Sequence, residues 1–323
     1  MLDPAMTVME AFSAVIGGCM THITTAAAVA RFNDDPEGIH QLRVGIRRLR
    51  AAFSVFAPGL PSRRPAVVKK LRALQQRLGA ARELDVLIEE TIASMPPKLR
   101  KRRGMRELTK AARASRVACH RRARTALASR RCTKLLSQLG PAIDRYTKRY
   151  ADGPGADATQ PITGFAVDVL RSRDRKARKL GDKIRDLGPP ELHVLRIRIK
   201  KLRYATEFFR DLAPDAPSER YLRALKDLQR VLGAVHDAVV ASALITRIGK
   251  RGGPDAERAA TLVQDWANTC LSRAGPSLHG AWRKFAKLEC PLQREPKRRH
   301  RERARHGRWP AFFAHVQGDV TGS

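Results

Sequence analysis

Aromatic side chains and carboxylates are scarce in this sequence of 323 residues. Phe, Trp and Tyr make up only 5% of the chain, and 31 Asp and Glu stand against 64 Lys and Arg, so the formal net charge is +33. Because so many like charges repel one another in a compact fold, we expect an anionic partner: nucleic acid, polyphosphate or an acidic membrane surface. A neutral small-molecule substrate is disfavoured.

Cysteines are also few, and they are odd in number and far apart. No Cys-x-x-Cys pair occurs, which disfavours both a disulfide framework and a zinc ribbon and favours a reducing, cytoplasmic location. The five cysteines are Cys19, Cys119, Cys132, Cys270 and Cys290.

Long uninterrupted hydrophobic runs are lacking at the N-terminus. The first residues carry no cluster of positive charge, and the apolar stretch that follows is broken by Thr21, His22, Thr24 and Thr25. This pattern predicts neither a signal peptide nor a membrane span, so we expect a soluble protein without a membrane partner.

Enzymatic motifs are missing as well. The sequence has no Walker A loop, no Gly-x-Ser-x-Gly elbow and no dinucleotide-binding Gly-x-Gly-x-x-Gly after a strand. His40 and His193 lack Cys, His or carboxylate neighbours at ligand spacing, which disfavours a metal site. We therefore expect a protein that is not an enzyme, with no catalytic residue, no metal and no cofactor.

Ala, Leu, Arg, Lys and Glu at helical spacing dominate what is present, and this composition predicts an all-α fold. Asp34-Asp35-Pro36 is typical of a helix N-cap, and Pro- and Gly-containing breaks separate the other helices. Helices are predicted at residues 5–31, 36–57, 65–81, 84–94, 98–128, 131–150, 162–186, 191–211, 218–234, 237–250, 254–273 and 277–289. Residues 151–161 are predicted to be a linker, and residues 291–323 a mobile basic tail.

Two segments about 150 residues apart repeat the same pattern, which indicates duplication of a bundle rather than a solenoid. The first segment, residues 39–56, reads IHQLRVGIRRLRAAFSVF, and the second, residues 192–209, reads LHVLRIRIKKLRYATEFF. A second match follows each of them: LRALQQRLGAARELD from Leu71 and LKDLQRVLGAVHDA from Leu225. The repeat predicts two halves, at residues 1–155 and 156–290, before the tail.

Helical geometry places the cations of each repeat on one face. At about 100° per residue, the apolar residues form one stripe and the basic residues another. A charged helix face in solvent usually mixes signs at i and i+4, because like charges there are destabilising. Both basic faces contain no carboxylate, so we interpret them as binding surfaces rather than solvated faces. We call them the first row, His40, Arg43, Arg47 and Arg50, and the second row, His193, Arg196, Lys200 and Arg203.

The paired His-x-x-Arg-rich segments, each followed by a Leu-x-x-Leu-x-x-x-Leu-Gly segment, resemble the CHAD domain, the conserved histidine α-helical domain. The resemblance covers roughly residues 5–290. It implies two four-helix-bundle halves related by a pseudo-twofold axis, a basic central cavity and binding of inorganic polyphosphate. It also implies a cytoplasmic protein recruited to polyphosphate granules.

Carried over to this sequence, the resemblance implies polyphosphate contacts from both rows and from basic residues beside them. The second half has His236 where the first has Arg82. The implied contacts are His40, Arg43, Arg47, Arg48, Arg50, Arg72, Arg82, His193, Arg196, Lys200, Lys201, Arg203, Lys226 and His236.

Two alternatives remain open from the sequence. Basic stretches around Arg102, from Arg171 and from Arg294 are compatible with nonspecific nucleic-acid binding. Few aromatic residues interleave with them for base stacking, which weighs against that interpretation. A scaffold that docks acidic proteins is the other alternative. The sequence leaves oligomeric state and polyphosphate chain length undetermined.

Overall fold

The computed structural model describes residues 1–32, 36–60, 64–151 and 159–292, and within them the predicted all-α fold is confirmed. The described residues form α-helices and no β-strand. Short 3₁₀ turns follow the second and tenth helices at Ala57–Gly59 and Arg210–Leu212, and a π-helical segment spans Leu87–Ile92. The α-helices are α1 (Val8–Phe32), α2 (Pro36–Val55), α3 (Ala66–Arg77), α4 (Gly79–Val86), α5 (Pro97–Arg100), α6 (Met105–Ala128), α7 (Arg130–Ser137), α8 (Leu139–Ala151), α9 (Ile162–Gly181), α10 (Pro189–Phe208), α11 (Asp215–Gly252) and α12 (Pro254–Ala286).

Two predicted helix breaks in the second half are wrong. Helix α11 continues through residues 235 and 236, and α12 continues through Pro276. Val235 is buried within the first of these stretches, and Trp282 and Phe285 are buried beyond the second. Burial of apolar side chains on both sides of each predicted break favours a continuous helix over the local preference of Gly or Pro.

A break that was not predicted occurs at Gly104, inside the expected helix 98–128. Gly104 adopts a left-handed conformation with φ of 82°, and α6 begins at the next residue. A β-carbon there would lie 1.9 Å from the carbonyl oxygen of Asp255, so both the conformation and the close approach require glycine. Asp34, Asp35, residues 152–158 of the predicted linker and the tail from residue 293 lie outside the described residues.

The first two helices of each half occur in the same order, and equivalent residues are 153 or 154 positions apart. Helices α1 and α2 precede one 3₁₀ turn, and α9 and α10 precede the other. The Val8 amide donates to Gln160 O at 3.1 Å, and the Ile162 amide donates to Met6 O at 3.0 Å. Val8 is equivalent to Ile162, and Met6 to Gln160, so each bond is the counterpart of the other in the opposite half.

The hydrophobic core draws on both halves at once. Phe56 stacks on Phe165 at 5.8 Å and meets Phe209 edge-on at 5.5 Å. A second, smaller cluster joins Leu108 of α6 to Ile245 of α11. Because both clusters combine residues from either half, the division into domains at residue 155 and the two four-helix bundles remain predictions.

Two helices of this core are long and apolar enough to cross a membrane, judged by length and composition: the Val8–Arg31 stretch of α1, and α11. Core helices and N-terminal signal sequences meet the same criterion. Phe12 and Ile23 of α1, and Leu228 and Ile245 of α11, are buried within the described fold. Both helices therefore pack as core helices, and the absence of a membrane partner stays a prediction.

Glycines of α2 let it approach α1 closely. A β-carbon at Gly38 would lie 2.9 Å from the Ala30 backbone, and one at Gly45 would lie 2.8 Å from the His22 ring and 2.9 Å from Ile23. A β-carbon does not approach other heavy atoms that closely in real proteins. Any larger residue at these positions therefore forces the two helices apart.

We therefore expect Gly45→Ala to lower the free energy of unfolding by about 1–3 kcal/mol, the usual effect of overpacking a close contact. The matched control is Gly17→Ala, because Gly17 is an exposed residue of α1 where an added β-carbon meets nothing within 4 Å. That change should raise the free energy by up to about 1 kcal/mol, since alanine has the higher helix propensity. Urea denaturation measures both, and equal effects of the two variants would contradict the close approach.

Candidate functional site

The two rows lie on helices that pack against each other, α2 and α10. As predicted, the apolar stripes are buried: Leu42 and Leu49 of α2, and Leu195 and Leu202 of α10, are fully buried. The row residues are half-buried, except His193, which is exposed. The basic residues thus occupy a partly desolvated position between elements of the fold and are not a fully solvated face.

The rows influence each other electrostatically. Burial and, to a smaller extent, the positive charges of Arg47, Arg196, Arg203 and Arg43, in that order of effect, together lower the pKa of the Lys200 ammonium from 10.5 to about 7. Two of these arginines belong to the first row and two to the second. The rows therefore form one group of interacting cations, which we call the cationic cluster.

Several polar atoms of the cationic cluster are buried without a hydrogen-bond partner among the described residues. They are the Nε–H groups of Arg43, Arg47 and Arg196, and Nδ1 of His40. Burial of a guanidinium N–H without an acceptor is costly, because the group loses its hydrogen bonds to water. An anion with several oxygens would supply the missing acceptors.

Two glutamines that are absent from the predicted contacts hold arginines of the rows in place. Gln75 accepts from Arg43 through its main-chain oxygen at 2.7 Å and from Arg50 through Oε1 at 2.8 Å. Gln229 accepts from Arg203 Nε through Oε1 at 2.7 Å. Gln75 and Gln229 occupy equivalent positions in the Leu-x-x-Leu-Gln repeats. The glutamine shared by both repeats is the sequence feature from which their role could have been predicted.

A carboxylate lies on the same helix face as the second row, which the sequence pattern did not predict. The second row continues one turn beyond Arg203 to Glu207, which accepts from Arg203 and, at 3.4 Å, from Arg48. The statement that both basic faces lack a carboxylate is therefore wrong for the second face. The pattern HxxRxxxKxxR ended one helical turn too early to include Glu207.

Another carboxylate approaches each row from a neighbouring helix. Glu83 of α4 favours the charged form of Arg43, and Asp237 of α11 does the same for Arg196. The two acidic residues are equivalent in the repeat. Burial raises the pKa of Asp237, and the Arg196 charge opposes that rise. Each row thus has two carboxylates acting on it and is left with more cations than carboxylates: Glu37 and Glu83 act on the first row, and Glu207 and Asp237 on the second.

The histidines that begin the rows each meet the residue implied as their neighbour. Burial, followed by the charge of Arg82, lowers the pKa of His40. In the second half, His193 Nδ1 lies 3.3 Å from Nδ1 of His236. Burial and then Arg196 and His193 lower the pKa of His236 to about 4. His236 therefore takes the place of Arg82 beside its row.

The remaining predicted residues lie at or beyond the edge of the cluster. Arg48 reaches Glu207 and stacks over the Phe208 ring, 5.5 Å from its centroid. Lys201 lines a separate cavity on the other side of α10. Arg72 and Lys226 are exposed at equivalent positions, and the Arg72 charge lowers the pKa of Arg50, although burial lowers it more.

The described residues contain no group of three or more His, Cys, Asp or Glu side chains placed to hold a metal ion. Of the free cysteines, the buried Cys19 has a thiol that interacts with Arg48, at the edge of the cationic cluster. Burial raises the pKa of that thiol to about 11, so it is a neutral core residue.

Comparison with solved structures finds the same fold elsewhere. The crystal structure of the CHAD domain from the plant Ricinus communis superimposes with a TM-score of 0.78 and 29% sequence identity, covering 91% of this chain and 96% of that one. PptA from Streptomyces chartreusis matches with a TM-score of 0.65 and 16% identity, over 86% of this chain and 100% of that one. At 16% identity, the second likeness shows the fold alone.

None of the curated proteins matches the sequence. The sequence profile of the CHAD domain, however, matches residues 14–246, and this range contains both rows and both glutamines. The match spans more than half of the 323 residues. This chain therefore belongs to the CHAD domain family.

Proposed function

We propose that this protein binds inorganic polyphosphate in a basic cavity lined by the first and second rows. The observation that carries the proposal is the set of buried, unpartnered Nε–H groups on Arg43, Arg47 and Arg196. They lie in a cationic cluster that the neighbouring carboxylates only partly neutralise. The CHAD family is linked to polyphosphate binding, which supports the same ligand.

The chemistry of the ligand suits the cluster. Each phosphate of the chain carries about one negative charge and exposes oxygens in all directions, so guanidinium forks and an ammonium group bind it without reading any base. Counterion release then contributes to affinity, as it does for nucleic acids. A long chain contacts both rows at once, and the second contact is favoured by its high effective concentration.

The proposal includes binding without hydrolysis and a cytoplasmic protein that associates with polyphosphate granules. Glu83 and Asp237, the carboxylates next to the rows, each lie beside an arginine, which favours an electrostatic role over general acid–base catalysis. The four arginines that act on Lys200 would bind phosphate oxygens as fixed charges.

Removing one charge from the cluster should stabilise the protein without ligand. We expect Lys200→Met to raise the free energy of unfolding by about 0.5–2 kcal/mol, because methionine keeps the packing and removes a half-buried charge among arginines. The control is Lys179→Met, since Lys179 is an exposed residue of α9 and its replacement should change the free energy by less than about 0.5 kcal/mol. Lower stability of Lys200→Met in denaturant titrations would mean that Lys200 is not repelled.

Each row should contribute to binding. We expect Arg43→Ala with Arg47→Ala, and separately Arg196→Ala with Lys200→Ala, to weaken polyphosphate binding at least about tenfold and to reduce the salt slope by roughly one for each cation removed. Titrations over a range of salt and chain length measure both quantities, and circular dichroism checks folding.

A double replacement of Arg121 and Arg122 by Ala serves as the control, because both are exposed on α6 outside the rows. Its effect on affinity should be small. Competition with DNA tests the ligand class: displacement of polyphosphate by DNA at a lower phosphate concentration would overturn the proposal in favour of nucleic-acid binding. A row whose loss leaves affinity unchanged would restrict the site to the other half.

Binding should take up a proton through Lys200. Its pKa of about 7 without ligand lies below the ordinary 10.5, so the side chain is mostly neutral above pH 7. A bound polyanion reverses the local field and raises that pKa. Affinity should therefore fall as pH rises above about 7, by at most about tenfold per pH unit for a single proton.

The control variant is Lys200→Arg, which keeps the charge and matches Arg47 at the equivalent position of the first row. It should bind polyphosphate with little dependence on pH between about 7 and 9, because a guanidinium does not titrate there. Calorimetry in buffers of different ionisation enthalpy counts the protons. Equal pH profiles for the parent and Lys200→Arg would exclude Lys200 as the titrating group.

A further inference from the structure

A second basic cavity lies on the other side of α10 from the second row. Its volume is about 700 Å³, and it is enclosed by the C-terminal end of α2 with the following 3₁₀ turn, by α9 and by α10. Four cations line it: Arg173 and Lys176 of α9, and Arg198 and Lys201 of α10. Asp168 is its one acidic lining residue.

The four cations have no carboxylate partner among the described residues. Arg173 donates to Ser54 O at 2.5 Å, and Arg198 donates to Lys176 O at 2.6 Å, so both guanidinium groups are fixed by main-chain oxygens. Burial lowers the pKa of Arg173. The positive charge is therefore held in position, and the single carboxylate in the lining, Asp168, opposes only part of it.

The equivalent positions of the other half are neutralised internally. There, Arg48 takes the place of Lys201 and forms an ion pair with Glu207 at 3.4 Å. Glu207 is equivalent to Ser54, and the position of Arg173 is occupied by Cys19. Compared with the equivalent positions, the cavity has serine in place of glutamate and arginine in place of cysteine. These two differences make it strongly basic.

A difference in helix packing accompanies this difference in charge. In the first half, Gly45 brings α2 within contact of His22 on α1. Arg198 is equivalent to Gly45, and Lys176 to His22. A long side chain at residue 198 cannot fit where only glycine fits at residue 45, so α9 and α10 leave space between them. The cavity results from that replacement.

We propose that this cavity is a second binding site, separate from the cationic cluster, and that it binds a small phosphorylated molecule. The fixed guanidinium groups and Lys201 would bind the phosphate. The volume lies in the range of small-molecule sites, and Phe165, Val169 and Pro58 give one wall an apolar surface, which suits an organic phosphate such as a nucleotide better than bare phosphate. The proposal does not rest on polyphosphate binding.

The test introduces into the cavity the carboxylate that neutralises the equivalent positions of the other half. Ser54→Glu places a carboxylate where Glu207 lies in the other copy, next to Arg173 and Lys201, and Ser54→Gln is the uncharged control of the same size. Both are made in a chain carrying Arg196→Ala and Lys200→Ala, so that the cationic cluster contributes little. Adenosine monophosphate and pyrophosphate are the probes, and binding is measured by isothermal titration calorimetry.

In the Ser54→Gln background at least one probe should bind, and Ser54→Glu should weaken it at least about tenfold while the melting temperature is kept or raised, because the new carboxylate forms an ion pair. Lys201→Ala, the removal of an exposed side chain, should weaken it as well. Tighter adenosine monophosphate identifies an organic phosphate as the ligand class, and tighter pyrophosphate an inorganic one. No binding of either probe, or equal binding to Ser54→Glu and Ser54→Gln, would overturn the proposal, whatever the parent protein does with polyphosphate.

Discussion

Repulsion among half-buried cations is the constraint on which the structure around α2 and α10 depends. Burial first, and then the charges of arginines from both helices, bring the pKa of Lys200 to about 7. The surrounding residues limit that repulsion without removing it: Gln75 and Gln229 fix guanidinium groups, and Glu83 and Asp237 oppose part of the charge. A folded protein accepts such a cost where the same charges serve binding, as is common for functional sites.

Helical periodicity was sufficient to predict the fold class and the orientation of both rows. Leu42, Leu49, Leu195 and Leu202 repeat at the spacing of a buried stripe, and that spacing does not depend on the tertiary fold. The ends of helices were harder to predict. Whether Pro276 interrupts a helix depends on which distant side chains pack around it, and a local pattern contains no such information.

Partners of the cationic cluster were harder to predict for the same reason. Glu207 lies only one turn beyond the second row, but its role depends on Arg48 of the other half, which is brought beside it by the packing of α2 on α10. The position of Lys201 shows the reverse case: it aligns with Arg48 in sequence, yet it lines a cavity with Arg173 and Arg198, whereas Arg48 pairs with Glu207. Equivalence in a repeat specifies a position on a helix, and the neighbouring helix determines its surroundings.

The exchange of hydrogen bonds between residues 6–8 and 160–162 has a consequence for ancestry. In a homodimer with a twofold axis, every contact across the interface is accompanied by a second one with the roles of the subunits reversed. The hydrogen bond from the Val8 amide to Gln160 O and the one from the Ile162 amide to Met6 O have that relation within a single chain. An ancestor of half this length would have made both bonds with one sequence, and any substitution would have appeared twice. Within a single chain the two copies can differ, as arginine at residue 47 and lysine at the equivalent residue 200 illustrate.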